Sequence, residues 1–215
     1  AGVSSAQPVG RVDCCFRRAV PPGYLSGYRA GLRLSAGRKG RLRKRTRRHL
    51  PVDSFVDDSY FETLKTLSRL AEEGTANLVL MGIQPAYPSE KYGYILPENA
   101  EPVSRVRTFR EKPDRETAKS YIAQGALWNG GVFACRLGYV LGKVQEEISF
   151  SDYYDLFSKY ETLPKISFDY AVVEKEPAVQ VVRYAGQWKD LGTWNTLTEA
   201  MERPDIGNTV MDKSC

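Results

Sequence analysis

Histidine is almost missing from this chain: one residue in 215, His49. The thiols are Cys14, Cys15, Cys135 and Cys215, with no CxxC spacing among them, so no zinc set can be assembled. Adjacent Cys14 and Cys15 do not lay out a disulfide framework, which points to a reducing compartment. No apolar run approaches about 18 residues, so no segment reads as a membrane-spanning helix. The first residues lack the hydrophobic stretch of a secretory signal. A cytoplasmic protein with no membrane partner is expected. There is no internal repeat.

Acidic side chains are scarce in the first quarter. Residues 1–50 hold 13 Lys+Arg and one acid, Asp13, a balance of +12, while residues 51–215 hold 18 against 25, a balance of −7. The formal +5 of the whole chain therefore hides an acidic body behind a basic start. Residues 12–49 show little apolar periodicity, repeated Gly and Arg, and a Pro21-Pro22 break. Three readings stay open for them: a disordered basic segment, a phosphate-contacting arm, or text out of frame with its neighbours. An RNA-binding role for residues 38–48 is disfavoured, because the body is acidic and no aromatic platform interleaves the charges.

From Leu50 the pattern becomes regular. Phe61, Leu64, Leu67 and Leu70 recur at spacing three before Gly74, which predicts an amphipathic helix with a glycine stop, capped by Asp58 or Ser59. NLVLMGI (77–83) reads as a strand buried on both faces. Strands are expected at 92–97, 103–113 and 128–137, and a helix after Pro113-Asp114. Further helical stretches are expected around 139–148 and 151–164. A helical turn is expected in SFDYAVVEK (167–175), then a strand, a turn and a last helix. Helix followed by buried strand predicts a sheet with crossovers.

Five segments put glycines or charged groups at the expected ends of strands: LMGIQPAYPSEKYGYI, FREKP, WNGGVF, SFDYAVVEK and WKDLGTW. Strand ends are where open α/β sheets bind ligands. Each segment is weak alone; Asp169 serves equally well as a helix cap, and Trp128, Trp188 and Trp194 read as core packing. In this order and spacing, residues 50–202 resemble the sugar-phosphate nucleotidyltransferases, most closely their bacterial mannose-1-phosphate guanylyltransferase branch. The resemblance implies an α/β, Rossmann-like domain with a mixed, mostly parallel sheet. It also implies the reaction of GTP with mannose 1-phosphate to give GDP-mannose and pyrophosphate, assisted by Mg²⁺; a related hexose 1-phosphate is the alternative. Asp53 of LPVDSF, followed by Ser54 where the family carries histidine, and Asp190 of WKDLGTW fall at the family's metal aspartates. Lys112 of FREKP falls at the lysine for the sugar's phosphate. Tyr92, Gly93, Glu111, Asn129 and Asp169 fall at sugar-binding positions, and Gly130 departs from the family's WNSG. Lys189 is read as a solvated neighbour of Asp190. A homo-oligomer stays open.

The family's Gly-rich nucleotide loop has no counterpart here. AQPVGR (6–11) resembles the segment beside the nucleotide base, with Gln7 in place of a glutamate and Arg11 retained. Residues 203–215 resemble the start of the family's β-helical tail. These features imply a chain incomplete at both ends, divided as 1–49, 50–202 and 203–215. Weak or absent turnover is expected of it alone, with GTP binding hit hardest.

Overall fold

The computed structural model describes residues 45–192 and 196–197. Gln7, Arg11, Trp194 and the expected tail lie outside them. Six strands form the main sheet, in the order β1 (Thr46–His49), β6 (Leu127–Arg136), β3 (Leu78–Ile83), β7 (Val179–Tyr184), β5 (Val103–Arg110), β4 (Gly93–Pro97), and β4 also pairs with β6. A separate two-stranded ribbon joins β2 (Ser54–Val56) to β8 (Trp188–Asp190). The sheet is mixed, as expected, but it is not mostly parallel. Among the described pairings β3–β7 alone is parallel, and the other main-sheet pairs are antiparallel. The short polar connection 98–102 accounts for part of this, since it turns β4 straight back along β5.

β3 carries the core. All six of its residues are buried, with Val79, Met81 and Ile83 on one face and Leu78 and Leu80 on the other. Helix α1 (Ser59–Glu73) covers the first face through Tyr60, Leu64, Leu67, Leu70 and Ala71. Val140 of α3 (Leu137–Glu147) and Phe168 of α5 (Phe168–Ala171) cover the second. Cover on both faces is why β3 reads as one continuous apolar run. The helix α1 stops at Gly74, which takes φ 73° and donates its N–H to Leu70 C=O at 3.1 Å. Its buried face starts at Tyr60, 2% exposed, whereas Phe61 is 52% exposed.

Other elements differ in detail. Asp114 caps α2 (Arg115–Ala123) by accepting the Glu116 and Thr117 N–H groups. The helical stretch expected over 151–164 is α4 (Tyr153–Ser158) followed by a separate 3₁₀ turn, Tyr160–Thr162. Strand β1 takes in four residues of the basic segment, pairing Thr46 with Arg136 and His49 with Phe133.

Neither Asp58 nor Ser59 caps α1 with its side chain. The neighbouring Asp57 takes that place. It accepts the Ser59 N–H at 2.9 Å, the Ser59 hydroxyl, and the Gln187 N–H at 2.6 Å. The Tyr184 hydroxyl, 3.2 Å from Asp57 and 2.9 Å from the Gln187 carbonyl, shares one proton between them. Asp57 follows β2 and Gln187 precedes β8, so this carboxylate fastens the two strands to each other at one end of the ribbon, beyond the Val56–Trp188 pair. The Ser59 hydroxyl and then the Gln187 amide pull its pKa from 3.8 to about 2. A depressed folded-state pKa gives stability that is full above the unfolded value and is lost as pH falls toward the folded one. The unfolding midpoint of the protein is therefore expected to drop between pH 3.8 and about 2. In Asp57→Asn that part of the drop is expected to vanish, with a lower midpoint at neutral pH. Thermal unfolding followed across this pH range in both proteins checks it; identical pH curves would contradict the clasp.

Candidate active site

Two aspartates far apart in sequence come to the same end of the ribbon. Asp53 precedes β2 and Asp190 ends β8; Ser54 stands opposite Asp190 in the antiparallel register. The Leu191 N–H donates to the Asp53 carbonyl at 3.3 Å, continuing the ladder past the strand ends. Asp190 Oδ1 accepts the Gly192 N–H at 2.9 Å, which holds its carboxylate in a short turn. Asp53 is exposed and Asp190 half-buried. Among the described residues no group of three or more His, Cys, Asp or Glu is gathered. Carboxylate oxygens without further protein ligands are donors of the kind Mg²⁺ takes, since it binds one or two carboxylates and keeps water and phosphate oxygens. They do not fit a closed structural zinc site. Lys189, half-buried, stands opposite Phe55 on the same ribbon.

A second cluster forms where β4 meets β6. Gly93 stands opposite Asn129. A Cβ at Gly93 would lie 2.4 Å from Glu111 Oε2 and 3.3 Å from Asn129 Cβ, so glycine is what lets Glu111 fold over the strand. Asn129 donates from Nδ2 to Asp169 Oδ1 at 2.8 Å and accepts the Gly131 N–H at 3.1 Å. Asp169 does not cap its helix; the hydroxyl of Ser167 does, accepting the Tyr170 N–H. Lys112 lies beside Glu111, with Nζ 3.5 Å from Oε1.

The electrostatics of this cluster are dominated by desolvation. Burial, then the charge of Asp169, pushes the Glu111 carboxyl up to about 7, against the pull of Lys112. Burial also raises Asp169, opposed by the Asn129 hydrogen bond and by His49 and Lys112. Glu111 Oε2 is buried without a hydrogen-bond partner, an acceptor left over for something else. Lys112 has φ 45°, the one positive value among the described non-glycine residues, and it precedes Pro113. Such a backbone costs about 1–2 kcal/mol and marks a residue held for a purpose beyond local comfort. A cleft of ≈ 590 Å³ opens here, lined by Arg110, Glu111, Lys112, Asp114, Tyr170 and Glu174 among others.

Tyr92 and β6 join the two clusters. The Tyr92 ring packs on Trp128 at 4.9 Å and on Trp188 at 5.5 Å. Burial, the neighbouring Tyr87 and the Asp190 carboxylate all raise its phenol above the usual tyrosine range. Tyr92 therefore stands toward Asp190, while Gly93 belongs to the Glu111 cluster. Trp128 and Trp188 pack as expected. On β6, a Cβ at Gly130 would overlap the Ile83 side chain, while its distance to Trp188 would be an ordinary contact, so the departure from serine at Gly130 leaves room for Ile83. Sequence reading missed Asp57, Glu174 and His49. His49 stacks on Phe133 at 5.8 Å, with its imidazole pKa lowered by burial and raised in part by Asp169. Its signal was drowned by the arginines that precede it.

With this geometry in place, the comparisons with known proteins bear on it directly. The nucleotidyl transferase family pattern matches residues 46–205. Alginate biosynthesis protein AlgA of Pseudomonas aeruginosa is 31% identical over 187 residues, taking in 74% of this chain and 37% of that protein. Mannose-1-phosphate guanylyltransferase of Klebsiella pneumoniae is 31% identical over 188 residues, 75% of this chain and 39% of that protein. The crystal structure of a mannose-1-phosphate geranyltransferase from Thermus thermophilus matches with TM-score 0.65 at 31% identity, over 80% of this chain and 52% of that one. The chain spans under two-fifths of the length of the two curated relatives. Since the family pattern runs through both clusters and most of the sheet between them, the chain belongs to the nucleotidyl transferase family.

Proposed function

We propose that the site serves transfer of a guanylyl group from GTP to mannose 1-phosphate, giving GDP-mannose and pyrophosphate. Relatives named for mannose 1-phosphate favour that sugar over other hexoses. A phosphate oxygen of the sugar phosphate attacks the α-phosphorus of GTP. The bond from that phosphorus to the β-phosphate oxygen breaks, and its electron pair leaves with pyrophosphate. The attacking oxygen is already anionic at pH 7, so the protein need supply no general base. Its task is to align two polyanions and offset their charge.

Each residue suits one part of that task. Lys112 brings a compact positive charge to the sugar's phosphate. Glu111, poised near neutrality by its burial, exchanges between charged and neutral forms and so can accept from or donate to a sugar hydroxyl. Asp169 keeps the Asn129 amide oriented at 2.8 Å. Gly93 leaves space where a ring can approach the backbone. Asp53 and Asp190 would hold Mg²⁺, which when bound offsets phosphate charge and orients the triphosphate. The observation that carries this reading is the β2–β8 register, which sets Ser54 opposite Asp190 and so brings Asp53 and Asp190 to one strand end.

Two experiments test it. Titration of the purified chain with mannose 1-phosphate, with and without Mg²⁺, is expected to show Mg²⁺-strengthened binding that exceeds binding of glucose 1-phosphate. Asp53→Asn and Asp190→Asn should each lower the Mg²⁺ enhancement about tenfold, and the double variant little further, because both hold one ion. Unchanged Mg²⁺ dependence in either single variant would sink the metal assignment. Separately, Lys112→Ala and Lys112→Gly are both expected to weaken mannose 1-phosphate binding about tenfold or more. Lys112→Gly should nonetheless be about 1 kcal/mol more stable than Lys112→Ala, since glycine accepts the left-handed backbone. Chemical unfolding of both variants measures this.

A further inference from the structure

The ladder between β4 and β5 ends at the Tyr94–Arg110 pair. The next amide, Glu111 N–H, leaves the sheet and donates to Glu174 Oε1 at 3.2 Å. Glu174 lies in the 3₁₀ turn Val173–Lys175, just past α5, the helix that carries Asp169. Its carboxylate is 22% exposed and has Arg110 Nη1 at 3.9 Å. It lines the same cleft as Glu111 and Lys112. The strained φ of 45° at Lys112 comes one residue after the tethered amide. A backbone of that kind persists only where its surroundings over-determine it.

We propose that Glu174 is a positioning residue for the Glu111–Lys112 turn. By holding the Glu111 amide it fixes the point where the chain leaves β5. That point decides whether the Glu111 carboxyl reaches Gly93 and whether Lys112 faces the cleft. It also ties this turn to the segment bearing Asp169, so the two acids of the sugar cluster keep one separation. The substrate in this inference rests on the proposed function; the contact does not. A simple charge effect of Glu174 on its neighbours Arg110, Glu111 and Lys112 makes a different prediction. Glutamine would then behave like alanine, whereas a positioning acceptor survives in glutamine.

Two variants and two readouts separate these outcomes. Amide hydrogen exchange read by NMR requires no substrate. Glu174→Ala should speed exchange at the Glu111 N–H about tenfold, and Glu174→Gln should stay near the wild type because its oxygen still accepts. Titration with mannose 1-phosphate should give affinity about tenfold weaker in Glu174→Ala and within about threefold in Glu174→Gln. Unchanged exchange at Glu111 in Glu174→Ala overturns the proposal whatever the substrate. Faster exchange with unchanged affinity overturns it as well, and so does equal loss of affinity in both variants. A wild-type chain that takes up no mannose 1-phosphate removes the substrate reading, and the exchange pattern still decides the contact. If Glu174→Ala does not fold, Glu174→Asp, one methylene shorter, takes its place in both measurements.

Discussion

The placing of Asn129 and Asp169 hangs on one irregularity in one strand. Opposite β3, Leu80 faces Phe133 but Gly82 faces Asn129, so β3 advances two residues while β6 advances four. The surplus is taken up at Gly130 and Gly131, the latter at φ 71°. A two-residue surplus preserves the alternation of faces, so the apolar pattern of β6 survives the bulge. What changes is the strand's path. Asn129 is left at the bend, its oxygen spent on the Gly131 N–H and its amide turned to Asp169. A side chain at 130 would run into Ile83 of β3, and one at 131 would be strained by the positive φ, so both positions of the bulge call for glycine.

The Glu111–Asp169 cluster is costly to assemble. Glu111 and Asp169 are largely removed from water near each other, with Lys112 as the adjacent cation. Desolvation outweighs the lysine's attraction at Glu111, as the rise of its pKa to about 7 records. The unpartnered Glu111 Oε2 and the positive φ of Lys112 add to the strain. The proposed sugar phosphate would find buried acceptors and a cation already in place, and its hydroxyls and phosphate would relieve this state.

Much of this could be read from the chain. The period of α1, its Gly74 stop and the two-faced burial of β3 follow from local rules that tertiary packing did not override. That Asp53 and Asp190 would come to one end of the ribbon was suggested by resemblance alone: they lie 137 positions apart, and no periodicity predicts that β2 and β8 will pair. Strand direction was legible less well. Short apolar runs do not state whether they run with or against a neighbour, and the β4–β5 return made the sheet more antiparallel than expected. Asp57 and Glu174 were missed for a shared reason. Each acts through backbone amides at a distant point in sequence, and an acid that accepts such bonds looks like any solvated acid in the sequence. His49 was hidden by composition: four residues of β1 sit inside an arginine-rich run that reads as irregular.

The two clusters are built to different standards of rigidity, and this fits the division of labour proposed for them. Glu111, Asn129 and Asp169 stand on or against the main sheet, where core packing fixes each backbone. Asp53 and Asp190 stand on a ribbon of three residues per strand, and an isolated pair of strands that short is marginal in water. The ribbon is held at the end away from the aspartates: Asp57 joins the residues that follow β2 and precede β8, and Trp188 packs against Tyr92 and Trp128. A cation held by two carboxylates moves with the phosphates it also binds, so its protein ligands gain from some freedom. A hexose is told from its epimers by hydroxyl direction, which demands fixed acceptors. The rigid end therefore suits the proposed recognition of the sugar, and the clasped ribbon suits the proposed Mg²⁺.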